Sequence, residues 1–180
     1  MSSESRSELL EKQVIFEGKK IRLEVHRFRN DAGASYFKEV VVHPGAVVIL
    51  PLLDENHVVL IRNRRYTVDQ TLVELPAGTL ERGEIPINCA GRELLEETGY
   101  LARRMKPLCG FYPSPGILTE KMHVFVATEL TLKTAHPEVG EEIEVVPTPW
   151  SEAIEMIGDG RIQDSKTIST LLYYDRFGRE

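Results

Sequence analysis

Hydrophobic and polar residues alternate in short runs along much of the chain, a pattern typical of β-strands with one buried face. Alternation is clear at Ile21, Leu23 and Val25. Denser apolar runs follow in the segments SYFKEVVVH, AVVILPLL, HVVLIRNRR, LVEL, MHVFVATEL and IEVVPTPW. The pattern therefore predicts a protein rich in strands.

Short breaks separate these runs and predict turns. Gly18 and the pair Pro44-Gly45 interrupt the early runs. The turn-like residues Asp54-Glu55-Asn56 lie between two apolar runs, where they predict a hairpin. The first dozen residues are polar and acidic, and they are predicted to form a tail.

One segment repeats its apolar residues with helical spacing. It begins at Pro86, which suits a first helical position, and ends before Gly99, which suits the left-handed residue after a helix. Two further helices are predicted, one from about Ser151 to Ile157 and one starting near Asp164 or Ser165. The predicted apolar face of the first helix spans about 140° and comprises Ile87, Ala90, Leu94, Leu95 and Thr98.

Length and composition fit one globular domain of mixed α/β (α+β) class. A chain of 180 residues with 42% hydrophobic content can bury a core without disulfides. No apolar run approaches ~18 residues, so we expect no membrane-spanning helix and no membrane partner. The polar start does not resemble a signal peptide and the two cysteines lack CxxC spacing, so a cytoplasmic location is expected.

The net charge of −6 at pH 7 disfavours nonspecific nucleic-acid binding, and we expect no nucleic-acid partner. The negative charge is concentrated in two windows. Residues 78–100 contain five acidic and two basic side chains, and residues 136–144 contain four acidic side chains and no Lys or Arg. The rest of the chain is close to neutral.

Three carboxylates of the first window share one face of the predicted helix. Glu93, Glu96 and Glu97 fall within a sector of ~100°, beside the apolar face. Carboxylate and carbonyl oxygens are the ligands that Mg²⁺ and Mn²⁺ prefer, and the glycines Gly78 and Gly83 let the preceding loop approach closely. On spacing alone, a solvated acidic face is an equally good interpretation.

The complete pattern around this helix favours the metal site. Gly78, five residues, Glu84, seven residues, and then RELLEETGY from Arg92 resemble the signature of the Nudix hydrolase family. The resemblance implies an α/β/α sandwich around a mixed sheet, with a Nudix hydrolase domain over residues 43–180. It also implies metal-dependent cleavage of a nucleoside diphosphate linked to another group.

The resemblance assigns a role to each position of the motif. It implies Mg²⁺, with Mn²⁺ as a possible substitute, held by Glu93, Glu96 and Glu97 and by the carbonyl of Ala77, with Glu96 also counted among the catalytic side chains. It further implies an ion pair between Glu84 and Arg92 that holds the loop onto the helix. Gly78 and Gly99 are structural members of the same motif.

The second acidic window is placed to supply a general base. Glu141 is the first choice, because it resembles the catalytic loop glutamate of ADP-ribose pyrophosphatases. Glu138 and Glu142 remain alternatives, since a loop alignment can slip by a few residues. A solvated acidic turn without a catalytic role is the competing interpretation.

Further segments resemble the subgroup of ADP-ribose pyrophosphatases and nucleoside diphosphate sugar hydrolases. They are ELPAGTLERGE, the C-terminal GRIQDSKTISTLLYY, and FYPSPGILTEKMHVFVA, in which Pro115 lies 16 residues after Gly99. The resemblance implies hydrolysis of ADP-ribose or a related sugar to a nucleoside monophosphate and a sugar phosphate. Candidate substrate-binding residues are Arg65, Arg62, Glu74 and Pro115.

Alternatives to this function remain open at the level of the sequence. A Nudix pyrophosphatase could act on GDP-mannose, FAD or a dinucleoside polyphosphate. A non-catalytic nucleotide-sugar sensor is a further alternative, which the presence of all three helix carboxylates disfavours. The resemblance also implies a homodimer formed through an N-terminal tail and β-rich extension, residues 1–42.

Overall fold

The computed structural model describes residues 7–133 and 142–179, and its Cα positions group into two compact units. The first unit comprises residues up to 45 together with 112–121. The second comprises residues 46–111 and those from 122 onward. The sequence predicts a dimerisation region over residues 1–42 and a hydrolase domain over residues 43–180. That assignment of roles to the two regions stays a prediction.

The first unit contains a three-stranded antiparallel sheet of β1 (Glu8–Glu17), β2 (Arg22–Arg29) and β3 (Ser35–Val42). Gly18 forms the predicted turn between the first two strands, with its N–H donating to the carbonyl of Ile21 at 2.9 Å. The predicted tail is wrong from Glu8 onward. Strand β1 leaves most of its side chains exposed, so its backbone pairing with β2 produces no apolar pattern in the sequence.

A second segment of this unit, residues 112–121, is bonded to the end of β3. The Val41 N–H donates to the Ile117 carbonyl at 2.8 Å, and the Thr119 N–H donates to the Val41 carbonyl at 3.0 Å. The hydroxyl of Thr119 accepts the His43 N–H at 2.9 Å. Pro115 lies in the turn of this segment, and its predicted role in substrate binding stays a prediction.

The second unit is built on a mixed sheet. Its strand order is β10-β5-β4-β9-β8, with two short strands, β6 and β7, pairing with β5 and β4 respectively. The pairing of β4 with β9 is parallel and the other pairings are antiparallel. The strands are β4 (Ala46–Asp54), β5 (His57–Arg65), β6 (Gln70–Glu74), β7 (Ala77–Thr79), β8 (Tyr100–Phe111), β9 (Met122–Leu132) and β10 (Ile143–Pro149).

Helices cover both faces of this sheet, as the alternation of β4 shows. Val47 and Ile49 pack in one apolar cluster with α1 (Pro86–Thr98). Val48 and Leu50 pack in the other cluster with α2 (Trp150–Gly158) and α3 (Ser165–Phe177). The predicted α/β/α sandwich with a mixed sheet is confirmed. None of the helices in the described ranges is long and apolar enough to cross a bilayer.

Strand β8 has no counterpart among the sequence predictions. It lies at one edge of the sheet, and its side chains are exposed or half-buried. An edge strand tolerates Pro107 because one side of its backbone needs no partner, and the register shifts between Pro107 and Cys109. Solvent exposure likewise tolerates Arg103 and Arg104, so the apolar alternation that reveals a strand is weak here.

Helix α1 has the predicted bounds and part of the predicted apolar face. Its buried residues include Ala90, Leu94, Glu97 and Thr98, which are spaced i, i+4, i+7 and i+8. Ile87, predicted to be buried, is 40% exposed, because it lies in the first turn, before the part of the helix that packs on the sheet. The buried face therefore includes one carboxylate side chain, that of Glu97.

Candidate active site

The three-residue strand β7 places the start of the motif against the last turn of α1. Ala77 pairs with Val48 of β4, which fixes β7 to the centre of the sheet. The Ala77 N–H donates to Oε2 of Glu97 at 2.9 Å, and Glu97 is only 4% exposed. A buried carboxylate with a backbone donor is held in one position. The hydrogen bond therefore ties strand and helix together at a charged group.

Gly78 allows a second carboxylate to lie against the backbone of β7. A Cβ atom added at this position would be 1.9 Å from both Cδ and Oε1 of Glu93. Any side chain at position 78 would therefore occupy the space of the Glu93 carboxylate. Glycine is required at this position because the Glu93 side chain approaches the backbone closely.

Arg92 connects the loop before α1 to the carboxylates on the helix. Its Nε and Nη2 donate to the two oxygens of Glu84 at 3.1 and 3.2 Å. Its Nη1 donates to Glu93 at 2.8 Å and to Glu96 at 2.9 Å. A planar guanidinium suits this role because its donors are fixed in a fork. One cation thus orients three carboxylates.

This arrangement shifts the protonation equilibria of its members. The hydrogen bonds from Arg92 lower the pKa of the Glu84 carboxyl, and the Glu81 N–H, which donates to Glu84 at 2.9 Å, acts in the same direction. The same bond to Glu84 raises the pKa of Arg92. Glu84 and Arg92 therefore both remain charged near neutral pH. Three carboxylates, those of Glu84, Glu93 and Glu96, hydrogen-bond to this one guanidinium.

The donor set fits a hard divalent cation. Carboxylate oxygens from one helix face and the backbone of Ala77 are ligands of the type that Mg²⁺ and Mn²⁺ take. In residues 7–133 and 142–179, no three His, Cys, Asp or Glu side chains are arranged to enclose an ion. Nη1 of Arg92 lies between Glu93 and Glu96, so binding a cation there requires these two side chains to turn away from Arg92.

A second charged cluster lies at the end of β6. The carboxylate of Glu74 is 1% exposed and accepts from Nε of Arg65 at 2.8 Å and from Nη2 of Arg65 at 2.6 Å. It also accepts from Nζ of Lys166 at 2.5 Å, and Lys166 contacts Asp164 at 3.0 Å. One turn of α3 is thereby attached to the strand that precedes Ala77.

The charges of this cluster balance one another. Burial alone would raise the pKa of the Glu74 carboxyl, but the hydrogen bonds and charges of Arg65 and Lys166 outweigh burial and keep the pKa below its ordinary value. Glu74 in turn raises the pKa of Arg65, and the charge of Glu97 adds to that effect. Glu97 therefore couples the two clusters electrostatically.

The involvement of Lys166 and Asp164 was not predicted from the sequence. One signal was present, because Lys166 occupies the first turn of a helix whose N-cap is Asp164. The positive end of the helix dipole disfavours a cation in that turn. In the structure two anions compensate this lysine, the N-cap Asp164 at 3.0 Å and Glu74 of β6.

The other predicted arginine, Arg62, lies on the opposite face of β5 from Arg65, as strand alternation requires. It forms an ion pair with Glu144 at 3.7 Å, and its neighbour Arg64 pairs with Asp69. Arg62, Arg64 and Glu144 line an open cleft of about 430 Å³ that also includes Thr71, Glu142 and Ile143.

One of the three candidate bases lies at this cleft. Glu142 lines the cleft and is exposed, and its carbonyl accepts the Arg64 N–H at 3.3 Å. Glu138 and Glu141 lie outside the described residues. The choice among the three glutamates stays a prediction.

Comparisons with known proteins agree in family and fold. The model of the NUDIX domain family matches residues 42–171. The ADP-ribose pyrophosphatase of Bacillus subtilis (strain 168) is 38% identical over 164 residues, 90% of this chain and 89% of its own. The methanol dehydrogenase activator of Bacillus methanolicus is 37% identical over 161 residues, 88% of this chain and 87% of its own.

Two further matches extend the comparison. The GDP-mannose pyrophosphatase of Yersinia enterocolitica is 40% identical over 138 residues, 72% of each chain. The crystal structure of an ADP compounds hydrolase superposes with a TM-score of 0.86 over the full length of both chains, at 22% identity. At that identity the structural match shows the fold.

Proposed function

The chain belongs to the NUDIX domain family, and on that premise we propose that it is a pyrophosphohydrolase of ADP-ribose or a related nucleoside diphosphate sugar. The products are a nucleoside monophosphate and a sugar phosphate. The observation that carries the proposal is the cluster of Glu93, Glu96 and Glu97 on one face of α1, held against β7 by Ala77 and Gly78.

The relatives support the substrate class. Proteins named ADP-ribose pyrophosphatase and GDP-mannose pyrophosphatase are 38% and 40% identical to this chain. Their named substrates share a pyrophosphate between a nucleoside and a sugar. GDP-mannose is therefore a second candidate substrate beside ADP-ribose.

The helix carboxylates would hold the cofactor, which we propose to be Mg²⁺ with Mn²⁺ as a substitute. The ligands would be Glu93, Glu96, Glu97 and the carbonyl of Ala77. When bound, a divalent cation neutralises charge on the phosphoryl oxygens and lowers the pKa of an attacking water. The N–H of Ala77 keeps the Glu97 carboxylate in place, and Arg92 holds Glu84 and the loop on the helix.

Arg65 is proposed to bind the phosphates of the substrate. Its guanidinium has five N–H groups, of which Glu74 receives two, and its side chain is 38% exposed. A phosphate can therefore reach the remaining donors. Arg62 is more than half exposed on the other face of β5, and its substrate role is a weaker proposal.

The general base is proposed to be Glu141, with Glu138 and Glu142 as alternatives. Three single variants, each Glu→Gln, separate these possibilities because the amide keeps the size but cannot take a proton. The variant of the true base should lose roughly 10²- to 10⁴-fold in kcat with little change in KM. Near-normal turnover of Glu141→Gln would move the role to another glutamate.

A phosphatase-coupled screen tests the substrate proposal. ADP-ribose, GDP-mannose, other nucleoside diphosphate sugars, FAD and dinucleoside polyphosphates would be supplied at equal concentration, each with Mg²⁺, with Mn²⁺ and with EDTA. We expect metal-dependent phosphate release from one or more nucleoside diphosphate sugars. A nucleotide-sugar sensor would instead bind one of these compounds and leave it intact.

We also propose a homodimer formed through residues 1–42. In support, the described strands of the first unit leave large apolar side chains at least half exposed, namely Val14, Ile15, Phe16 and Phe37. Light scattering during gel filtration should give twice the chain mass of 20.4 kDa. A mass of one chain at micromolar concentration would contradict the dimer.

A cytoplasmic location remains a proposal. Cys89 and Cys109 are both free thiols, which suits a reducing compartment. Fractionation of cells that produce the protein at its natural level would test the location.

A further inference from the structure

The carboxylate of Glu74 lies between two cations from distant parts of the chain. Arg65 occupies both of its oxygens, and Lys166 shares Oε2 with Nη2 of Arg65. Glu74 and Lys166 are both buried, with exposures of 1% and 8%, whereas the Arg65 side chain is 38% exposed. Two buried groups therefore form the inner side of a cluster whose outer member reaches solvent.

The paired hydrogen bonds determine the direction of the Arg65 guanidinium. A carboxylate that receives Nε and one Nη fixes the plane of the guanidinium and directs its remaining N–H groups away from Glu74. The adjacent edge, formed by Nη1 and the second N–H of Nη2, is the one that can receive an oxyanion in the same two-bond manner. The position of Glu74 therefore determines where Arg65 presents that edge.

Lys166 supports this arrangement in two ways. Lys166 and Arg65 share the single negative charge of Glu74, so that charge does not fully neutralise Arg65. Lys166 also attaches Glu74 to α3, where Asp164 contacts Lys166 at 3.0 Å and accepts the N–H of Thr167 at 3.0 Å. Without Lys166, Glu74 would have Arg65 as its one cationic partner in these hydrogen bonds.

We propose that Lys166 is a positioning residue for the phosphates of the substrate, acting through Glu74 on the direction and effective charge of Arg65. The inference rests on the proposed function for the identity of the anion, a nucleoside diphosphate. Lys166 touches neither substrate nor cofactor in this account, and its influence passes through two hydrogen-bonded side chains.

The test compares Lys166→Met with a control variant of the same helix turn. Lys166→Met keeps the aliphatic chain and removes the charge. Thr167→Val removes the hydroxyl that accepts the Leu75 N–H at 2.8 Å, so it also weakens the attachment of α3 to this strand but leaves Glu74 untouched. If Lys166 only attaches α3, the two variants should have the same kinetic effect.

The measurements are KM and kcat for the best nucleoside diphosphate sugar and, by calorimetry, the Kd of ADP. Lys166→Met should raise KM and Kd roughly 10- to 100-fold, with a smaller change in kcat. This is the size of effect seen when a residue that supports a ligand-binding side chain is removed. Thr167→Val should lower Tm and leave KM and Kd close to wild type.

A double-mutant cycle with Arg65→Gln identifies the route. If Lys166 acts through Arg65, Lys166→Met should change KM and Kd less than twofold in the Arg65→Gln background. Equal effects of Lys166→Met in both backgrounds would overturn the inference. If Lys166→Met does not fold, the double variant Glu74→Gln/Lys166→Met removes the uncompensated buried carboxylate and should show the same rise in Kd for ADP.

The outcomes separate this inference from the proposed function. Turnover by the wild type with unchanged KM and Kd in Lys166→Met would overturn the inference and leave the function standing. A weakened Kd for ADP in a protein that cleaves no nucleoside diphosphate sugar would support the inference and overturn the function. A wild type that neither binds ADP nor turns over would overturn both.

Discussion

Replacing Gly78 with alanine perturbs the carboxylate cluster by a single methyl group. The added Cβ would lie 1.9 Å from Cδ and Oε1 of Glu93, whereas ordinary van der Waals contact begins at 3.4 Å. The Glu93 carboxylate must therefore move by about 1.5 Å, the difference between these distances. Its side chain is flexible, so the movement displaces a proposed metal ligand without a large change in the free energy of unfolding.

The expected effect on catalysis follows from that displacement. A misplacement of about 1 Å in a catalytic arrangement costs on the order of 10²-fold in rate. Gly78→Ala should therefore lower kcat by at least about 10²-fold and shift the Mg²⁺ dependence of activity to higher concentration. The midpoint of urea unfolding should change little.

Gly91→Ala is the matched control, because a Cβ at this helical position has no neighbour within 4 Å. It should leave kcat unchanged and stabilise the protein by about 1 kcal/mol, since glycine is a poor helix former. Steady-state kinetics with a Mg²⁺ titration, and urea unfolding of both variants, provide the test. Wild-type turnover by folded Gly78→Ala would refute the placement of Glu93 in the site.

Further predictions concern stability and thiol reactivity. Because Arg92 lowers the pKa of Glu84, the pair contributes fully to stability above the ordinary pKa of 4.5 and loses that contribution as pH falls through the lower, folded-state pKa. The Tm of Glu84→Gln should therefore be roughly 2–4 °C below that of the wild type at pH 7, and the difference should shrink below pH 4.5. A Tm difference that does not depend on pH would contradict this prediction. Gly99→Ala places a Cβ at φ 73° and should cost about 1–2 kcal/mol in urea unfolding, so an unchanged midpoint would argue against that geometry. Burial raises the pKa of Cys89 to about 12, so Ellman's reagent at pH 8 should label it only after unfolding, and prompt labelling of Cys89 in the folded protein would disprove its burial.

The helix that carries the site could be predicted because its signals are local. Pro86 and Gly99 act on the adjacent residues, and the spacing of Glu93, Glu96 and Glu97 fixes them on one face whatever the helix packs against. The same applies to α3, which was predicted to start near Asp164 or Ser165 and whose N-cap, Asp164, accepts the N–H of Thr167.

The strands with exposed side chains were the harder part of the fold. Strand β1 and strand β8 are held by backbone hydrogen bonds, and most of their side chains face solvent or are half-buried. Backbone pairing does not depend on side-chain type, so these strands have little periodic signal. In β8, Pro107 and the exposed Arg103 and Arg104 weaken the apolar alternation further.

The cluster around Glu74 depends on tertiary structure. Arg65 and Glu74 meet because β5 and β6 pair, and Lys166 reaches Glu74 across 92 residues of sequence. Neither contact has a characteristic spacing. The sequence could suggest Arg65 as a phosphate ligand, but only the fold shows which side chains hold it.

The central claim is cleavage of a pyrophosphate bond, and ³¹P NMR of a reaction with ADP-ribose or GDP-mannose in the presence of Mg²⁺ tests it most directly. We predict that both pyrophosphate resonances disappear together and are replaced by two phosphomonoester resonances, one from the nucleoside monophosphate and one from the sugar phosphate. Pyrophosphate resonances that persist, or that shift to those of a free nucleoside diphosphate, would contradict the claim, because the second result means that the bond between the β-phosphate and the sugar was cleaved.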